Sequence, residues 1–181
     1  MQGIPLNERK RLGALLDDRP QAEVMAMIPQ FSQAETDNFV APPAQIPEAL
    51  GVLMFNMERG VKLPEIQEFL RDCPDIQPFD VILANELDDG CARSGNKNTA
   101  RELAQAFGLN YAWGLEFIEL VNDENAKGFH GNAVFSRWPI RRAGVIRLPE
   151  QYNWYFDRQK RIGGRLAVFA ELDVGGQPVG A

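Results

Sequence analysis

The chain has 181 residues, 45% of them apolar, 25 acidic and 19 basic side chains and a net charge of -6. That length suits one domain burying roughly 70% of its unfolded surface, and the acidic balance argues against a nucleic-acid binder held by charge alone. Two cysteines are too few for a disulfide framework, no continuous apolar N-terminal core marks a signal peptide, and no stretch approaches the ~20 apolar residues of a membrane span, so the expectation is a cytoplasmic protein.

Residues 1–48 differ in texture from the rest. Asn7 to Leu16 and Gln21 to Met27 carry helical patterning, interrupted by Pro20, Pro29, Pro42, Pro43 and Pro47, which predicts an N-terminal extension of short helices and an extended linker. Residues 49–181 form the predicted domain. The run from Gly51 to Phe55 is a strand ending in Asn56, Met57 and Glu58, and Val81 to Ala84 is a second strand ending in Asn85 and Glu86. Between them Leu63 to Arg71 reads as a helix with Pro64 in its first turn. Strand, helix and strand make a crossover unit with both carboxylates at the carboxyl ends of parallel strands, the edge at which ligands of open α/β sheets bind. Two acids with amides beside them form an oxygen-ligand set suited to Mg²⁺. Asp88 and Asp89, followed by Gly90, read as a turn.

A helix over Asn98 to Phe107 is predicted to stop at Gly108, followed by one or two strands over Asn110 to Leu120 and a polar connector from Asn122 to Gly128. Ala133 to Ser136 is a short strand entered through Gly131 and Asn132 and closed by Trp138 and Pro139, which leaves His130 as a structural loop residue. Arg165 to Val174 reads as a strand with Gly175 and Gly176 turning it into a hairpin whose return strand begins at Pro178. A hairpin whose return strand has barely begun reads as the front part of a longer protein.

The order of three segments resembles the endonuclease/exonuclease/phosphatase superfamily. They are the strand ending Phe55, Asn56, Met57, Glu58; the strand Asp80 to Glu86, similar to the family's strand ending in Gln-Glu; and Gly131 to Ile140, close to the family's Gly-Asn-Ala-hydrophobic-Ser-Arg-aromatic-Pro-Ile. The resemblance implies a four-layer α/β/β/α sandwich of two mixed sheets covered by helices, incomplete in this chain. It implies a hydrolase of phosphate esters using Mg²⁺ or Mn²⁺, with Glu86 as metal ligand, Glu58 as a further ligand and Asn56 beside the scissile phosphate. Asn85, in place of the commoner Gln, would orient Glu86 by hydrogen bonding.

Glu116 lies where some family members carry another acid near the substrate, and Asn132 in the third segment is a further candidate substrate contact. The family's catalytic His, Gly-Asp-Xaa-Asn and Ser-Asp-His segments are not found in this sequence, and the single histidine, His130, is not assigned as the base. Arg137, Arg141, Arg142, Arg147, Arg158, Lys160, Arg161 and Arg165 crowd one stretch with Tyr152, Trp154 and Tyr155 nearby, so Arg158 and Arg161 are candidate contacts to nucleic acid. A catalytically inactive binding protein that keeps the fold is the competing reading. A glycosidase built on Glu58 and Glu86 would leave the Gly131 to Ile140 segment unexplained.

Overall fold

The computed structural model describes residues 1–150 and 152–181. Strand β2 (Val52–Arg59) alternates as a one-sided strand should: Leu53, Phe55 and buried Met57 turn to one core, while Val52 and Met54 lie exposed on the other face. Helix α3 (Leu63–Asp72) buries Leu63 and Leu70 and returns the chain to β3 (Val81–Asp89). The two strands are parallel, in register from Val52 opposite Val81 to Asn56 opposite Asn85, so the crossover unit forms as the sequence predicts.

Helix α4 (Thr99–Phe107) starts at Asn98, whose side chain accepts the Arg101 N–H, and ends at Gly108 in the left-handed region. It leads into β4 (Asn110–Glu119), and β5 (Phe129–Ser136) then inserts antiparallel between β3 and β4. With β1 (Ala34–Asp37) on the far side of β4, the first sheet runs β1-β4-β5-β3-β2, and β7 (Arg161–Gly163) extends β4. A second sheet, β6-β8-β9, consists of Ile140–Arg147, Leu166–Val174 and Gln177–Gly180. Gly175 and Gly176, both at positive φ, make the β8–β9 turn that the sequence predicts.

Two apolar cores fix these layers. One joins the helices to the first sheet, through Leu70 and Leu103 against Ile82, Tyr111, Trp113 and Phe135. The other joins the two sheets, through Val81, Ala112 and Val134 against Ala170, Leu172 and Val174. Gly114 lets the sheets approach, since a Cβ there would lie 3.0 Å from both Val145 and Val168. Among the described residues the mixed α/β arrangement of helices over one sheet, packed on a second sheet, matches the expected sandwich class.

The N-terminal helices α1 (Leu6–Ala14) and α2 (Gln21–Ala26) contribute Leu12 and Val24 to the helix-side core, and the 3-10 turn Leu15–Asp17 between them contributes Leu16. Arg9 is buried and donates to the carbonyls of Asn125 (2.7 Å) and Lys127 (2.9 Å), and the Met1 amine pairs with Glu35. Three strands lie outside the sequence expectation. Strands β1 and β7 are only four and three residues long, and β6 carries arginines and a glycine that mask its period.

Candidate metal and phosphate site

The site is built by two strand irregularities. Ala84 and Leu87 both enter the helix-side core, although three positions separate them and a regular strand would put them on opposite faces. A bulge resolves this: between the pairs Ala84/Ala133 and Leu87/Gly131, β3 carries Asn85 and Glu86 where β5 carries only Asn132. Asn85 and Glu86 therefore both lie on the face away from the helices, where Asn85 opposes Asn56 of β2. Glu86 sits at φ 59, in the left-handed region that a non-glycine residue enters at a cost. Its N–H donates to Asn132 Oδ1 (3.1 Å), and the Asn132 Nδ2 donates to the Leu166 carbonyl at 3.4 Å. Asn132, rather than Asn85, thus holds the backbone of Glu86.

At the end of β2, Asn56 Oδ1 accepts the Glu58 N–H (2.9 Å), a local turn that leaves both side chains exposed. Glu58 and Arg59 also have positive φ, at 46 and 67. Asn56, Asn85 and Glu86 offer only oxygen donors on one face of one sheet edge, which suits a hard cation such as Mg²⁺ and not a soft one. Among the described residues no group of three His, Cys, Asp or Glu side chains could hold a metal. One or two acids with amides beside them is nonetheless what Mg²⁺ takes when water and substrate phosphate complete its shell.

Beside Glu86 lies a buried polar row that the sequence does not reveal. Asp88 and Asp89, read from sequence as a turn, continue β3 and are buried; the bulge restores pairing, and basic partners compensate their charge. Asp88 accepts two hydrogen bonds from Arg93 (2.7 and 2.8 Å), one from Ser94 (3.2 Å) and one from His130 Nδ1 at 2.9 Å, and Asp89 pairs with Lys127 at 2.7 Å. Burial pushes the Asp88 carboxyl up, but the bonds from Arg93 and His130 prevail and hold it below its ordinary range. His130 is correspondingly a buried β5 residue and not part of a loop. Its Nδ1 is bound to a carboxylate, and its Nε2 lies 3.7 Å from Glu116 Oε2.

Glu116 belongs to a second bulge. Leu115 and Ile118 both enter the helix-side core, with Glu116 and Phe117 between them. Glu116 is buried, and its Oε1 accepts from Arg165 Nη1 at 3.1 Å. Arg161 lies over Phe117 (4.3 Å) and over Trp154 (4.9 Å) of the short helix α5 (Trp154–Asp157), and approaches Glu119 at 3.9 Å. Arg158 is exposed and lies over Tyr152 at 4.7 Å.

Much of the basic run is engaged within the chain. Arg141 pairs with Asp173 (2.8 Å) and Arg142 with Glu171 (2.7 Å), while Arg147 is half-buried, donates to the carbonyls of Phe31, Gly164 and Leu115, and is pulled down to about 10 by burial. Arg93 lies five positions from Asp88, but the links from Asp88 to His130 and from Glu116 to Arg165 span 42 and 49 positions.

The sequence matches no protein-family model and no curated protein. Its fold is shared by solved structures. One is an endonuclease/exonuclease/phosphatase from Beutenbergia cavernae DSM 12333, at a TM-score of 0.50 and 21% identity over 70% of this chain. Another is an endonuclease/exonuclease/phosphatase family protein from Leptotrichia buccalis C-1013-b, at 0.48 and 19% identity over 73%. The chain spans 35% and 53% of their respective lengths. The architecture is therefore of the type seen in the Beutenbergia cavernae endonuclease/exonuclease/phosphatase. Among the described residues no helix is long and apolar enough to cross a membrane.

Proposed function

We propose that this chain is the metal-side part of a hydrolase of phosphate esters, a nuclease, phosphodiesterase or phosphatase. The observation that carries the reading is Glu86: an ionisable residue kept at positive φ on a bulge, with its N–H fixed by Asn132 and with Asn56 and Asn85 on the same sheet face. Glu86 would hold Mg²⁺ or Mn²⁺, with Glu58 as a further or water-mediated ligand, and Asn56 would lie against the scissile phosphate. The bound cation supplies charge stabilisation at the phosphoryl oxygens. His130, buried between two carboxylates, is not assigned as the general base.

The test is Mn²⁺ binding followed by electron paramagnetic resonance. The wild-type chain should bind one ion, and Glu86→Gln should weaken binding at least about tenfold with the fold intact, the loss of one charged ligand. Unchanged affinity in that variant overturns the assignment. Simple phosphodiesters should be hydrolysed little or not at all by the 181 residues alone.

A further inference from the structure

We propose that Arg165 is the residue of this site that contacts the substrate's phosphate oxygens, with Glu116 as the positioning residue that aims it. The inference deepens the hydrolase reading and rests on it for the identity of the substrate, though not for the binding of phosphate itself.

Three guanidinium groups lie over the polar row, and two are committed. Arg93 gives Nε and Nη2 to Asp88, and Arg161 is largely buried against Phe117 and Trp154. Arg165 differs. Its side chain is 52% exposed, and among the described residues only Nη1 is engaged, by Glu116, leaving Nε and Nη2 as free donors. A guanidinium presents donors in a planar fork that matches two phosphate oxygens at once.

Arg165 is also held in place before any ligand arrives. Its guanidinium lies over Trp154 at 4.9 Å and Phe117 at 5.8 Å, and Glu116 is buried in the β4 bulge, its Oε2 3.7 Å from His130 Nε2 and without a hydrogen-bond partner among the described residues. Holding the side chain this way removes part of the ordering cost that an exposed arginine would meet on binding. The location is continuous with the metal side. Glu86 is bound to Asn132, Asn132 to the carbonyl of Leu166, and Leu166 follows Arg165. One face thus carries a carboxylate for the cation and a fixed guanidinium for the anion.

The test uses the full chain with EDTA present and inorganic phosphate as the probe, at constant ionic strength, by calorimetric titration. The wild type should saturate in the millimolar range, Arg165→Gln should bind at least about tenfold more weakly, and Arg165→Lys should fall between, because a lysine keeps the charge but not the fork. Arg142→Gln, which removes an exposed arginine of the second sheet, should bind as the wild type does. Phenylglyoxal labelling read by mass spectrometry gives the same answer without a variant: phosphate should protect Arg165 and leave Arg142 open. Equal affinity in Arg165→Gln, equal loss in Arg142→Gln, absence of saturable binding by the wild type, or unprotected Arg165 would each overturn the proposal. Because EDTA excludes the cation, failure of Glu86 to bind Mn²⁺ is a separate result.

Discussion

Glu86 shows how one residue can be maintained against its own conformational preference. At φ 59 an L-residue gives up about 1 kcal/mol or more relative to the right-handed region, whereas glycine does not. What compensates is the Asn132 acceptor on its N–H, worth about 1 kcal/mol. Glu86→Gly should therefore raise the stability of the chain by up to about 1 kcal/mol in urea unfolding, partly offset by the greater freedom of glycine in the unfolded chain. The same variant should lose Mn²⁺ binding. A glutamate kept for its carboxylate is the residue that satisfies both outcomes, and a Glu86→Gly chain less stable than wild type would show that the side chain serves packing instead.

The three central strands β3, β5 and β4 behave as a unit because two bulges, one on each outer strand, turn polar residues to the same face. Asp88 is the hub. Its folded-state pKa lies below the ordinary 3.8, so the stability it contributes is fully present above pH 3.8 and disappears as the pH falls from there through the folded value. Asp88→Asn should cost about 3 kcal/mol at pH 7, since Arg93 and His130 lose their buried charged acceptor, and should flatten the dependence of stability on pH below about 4. Denaturant midpoints measured from pH 2.5 to 7 would check this, and an acid limb as steep as the wild type's would remove Asp88 from the account. The parallel pair β2 and β3 with the helix between them is legible from sequence, because period, Pro64 and the terminal amides are local signals. The Asp88–His130–Glu116 row is not. An inserted bulge residue inverts the alternation from which a face is read, so Asp88 and Asp89 look like a turn and His130 like a loop. Their partners lie 5 to 42 positions away and leave no mark of local spacing.

At the scale of the whole molecule, composition and packing divide the chain differently. Prolines and a change of texture set residues 1–48 apart in the sequence, yet Leu12, Leu16, Val24, Ile28 and Phe31 are buried in the same apolar cluster as Leu103, Trp113 and Phe135. Arg9 reaches the carbonyls of the connector before β5, which ties that cluster to the strand carrying His130 and Asn132. If these contacts make one cooperative unit, a cavity placed in α1 must be felt by residues that never touch it. Leu12 is 3% exposed, and Leu12→Ala should cost about 3 kcal/mol through lost transfer and cavity energy, whereas Leu148→Ala on the surface should change stability by less than about 0.5 kcal/mol. Trp113, Trp138 and Trp154 all lie beyond residue 48, so tryptophan fluorescence reports only the later part of the chain. In Leu12→Ala the fluorescence transition and the far-ultraviolet circular dichroism transition should move together to lower urea. A fluorescence midpoint that stays at the wild-type value while dichroism shows an earlier step would mean that α1 and α2 unfold apart from the sheets.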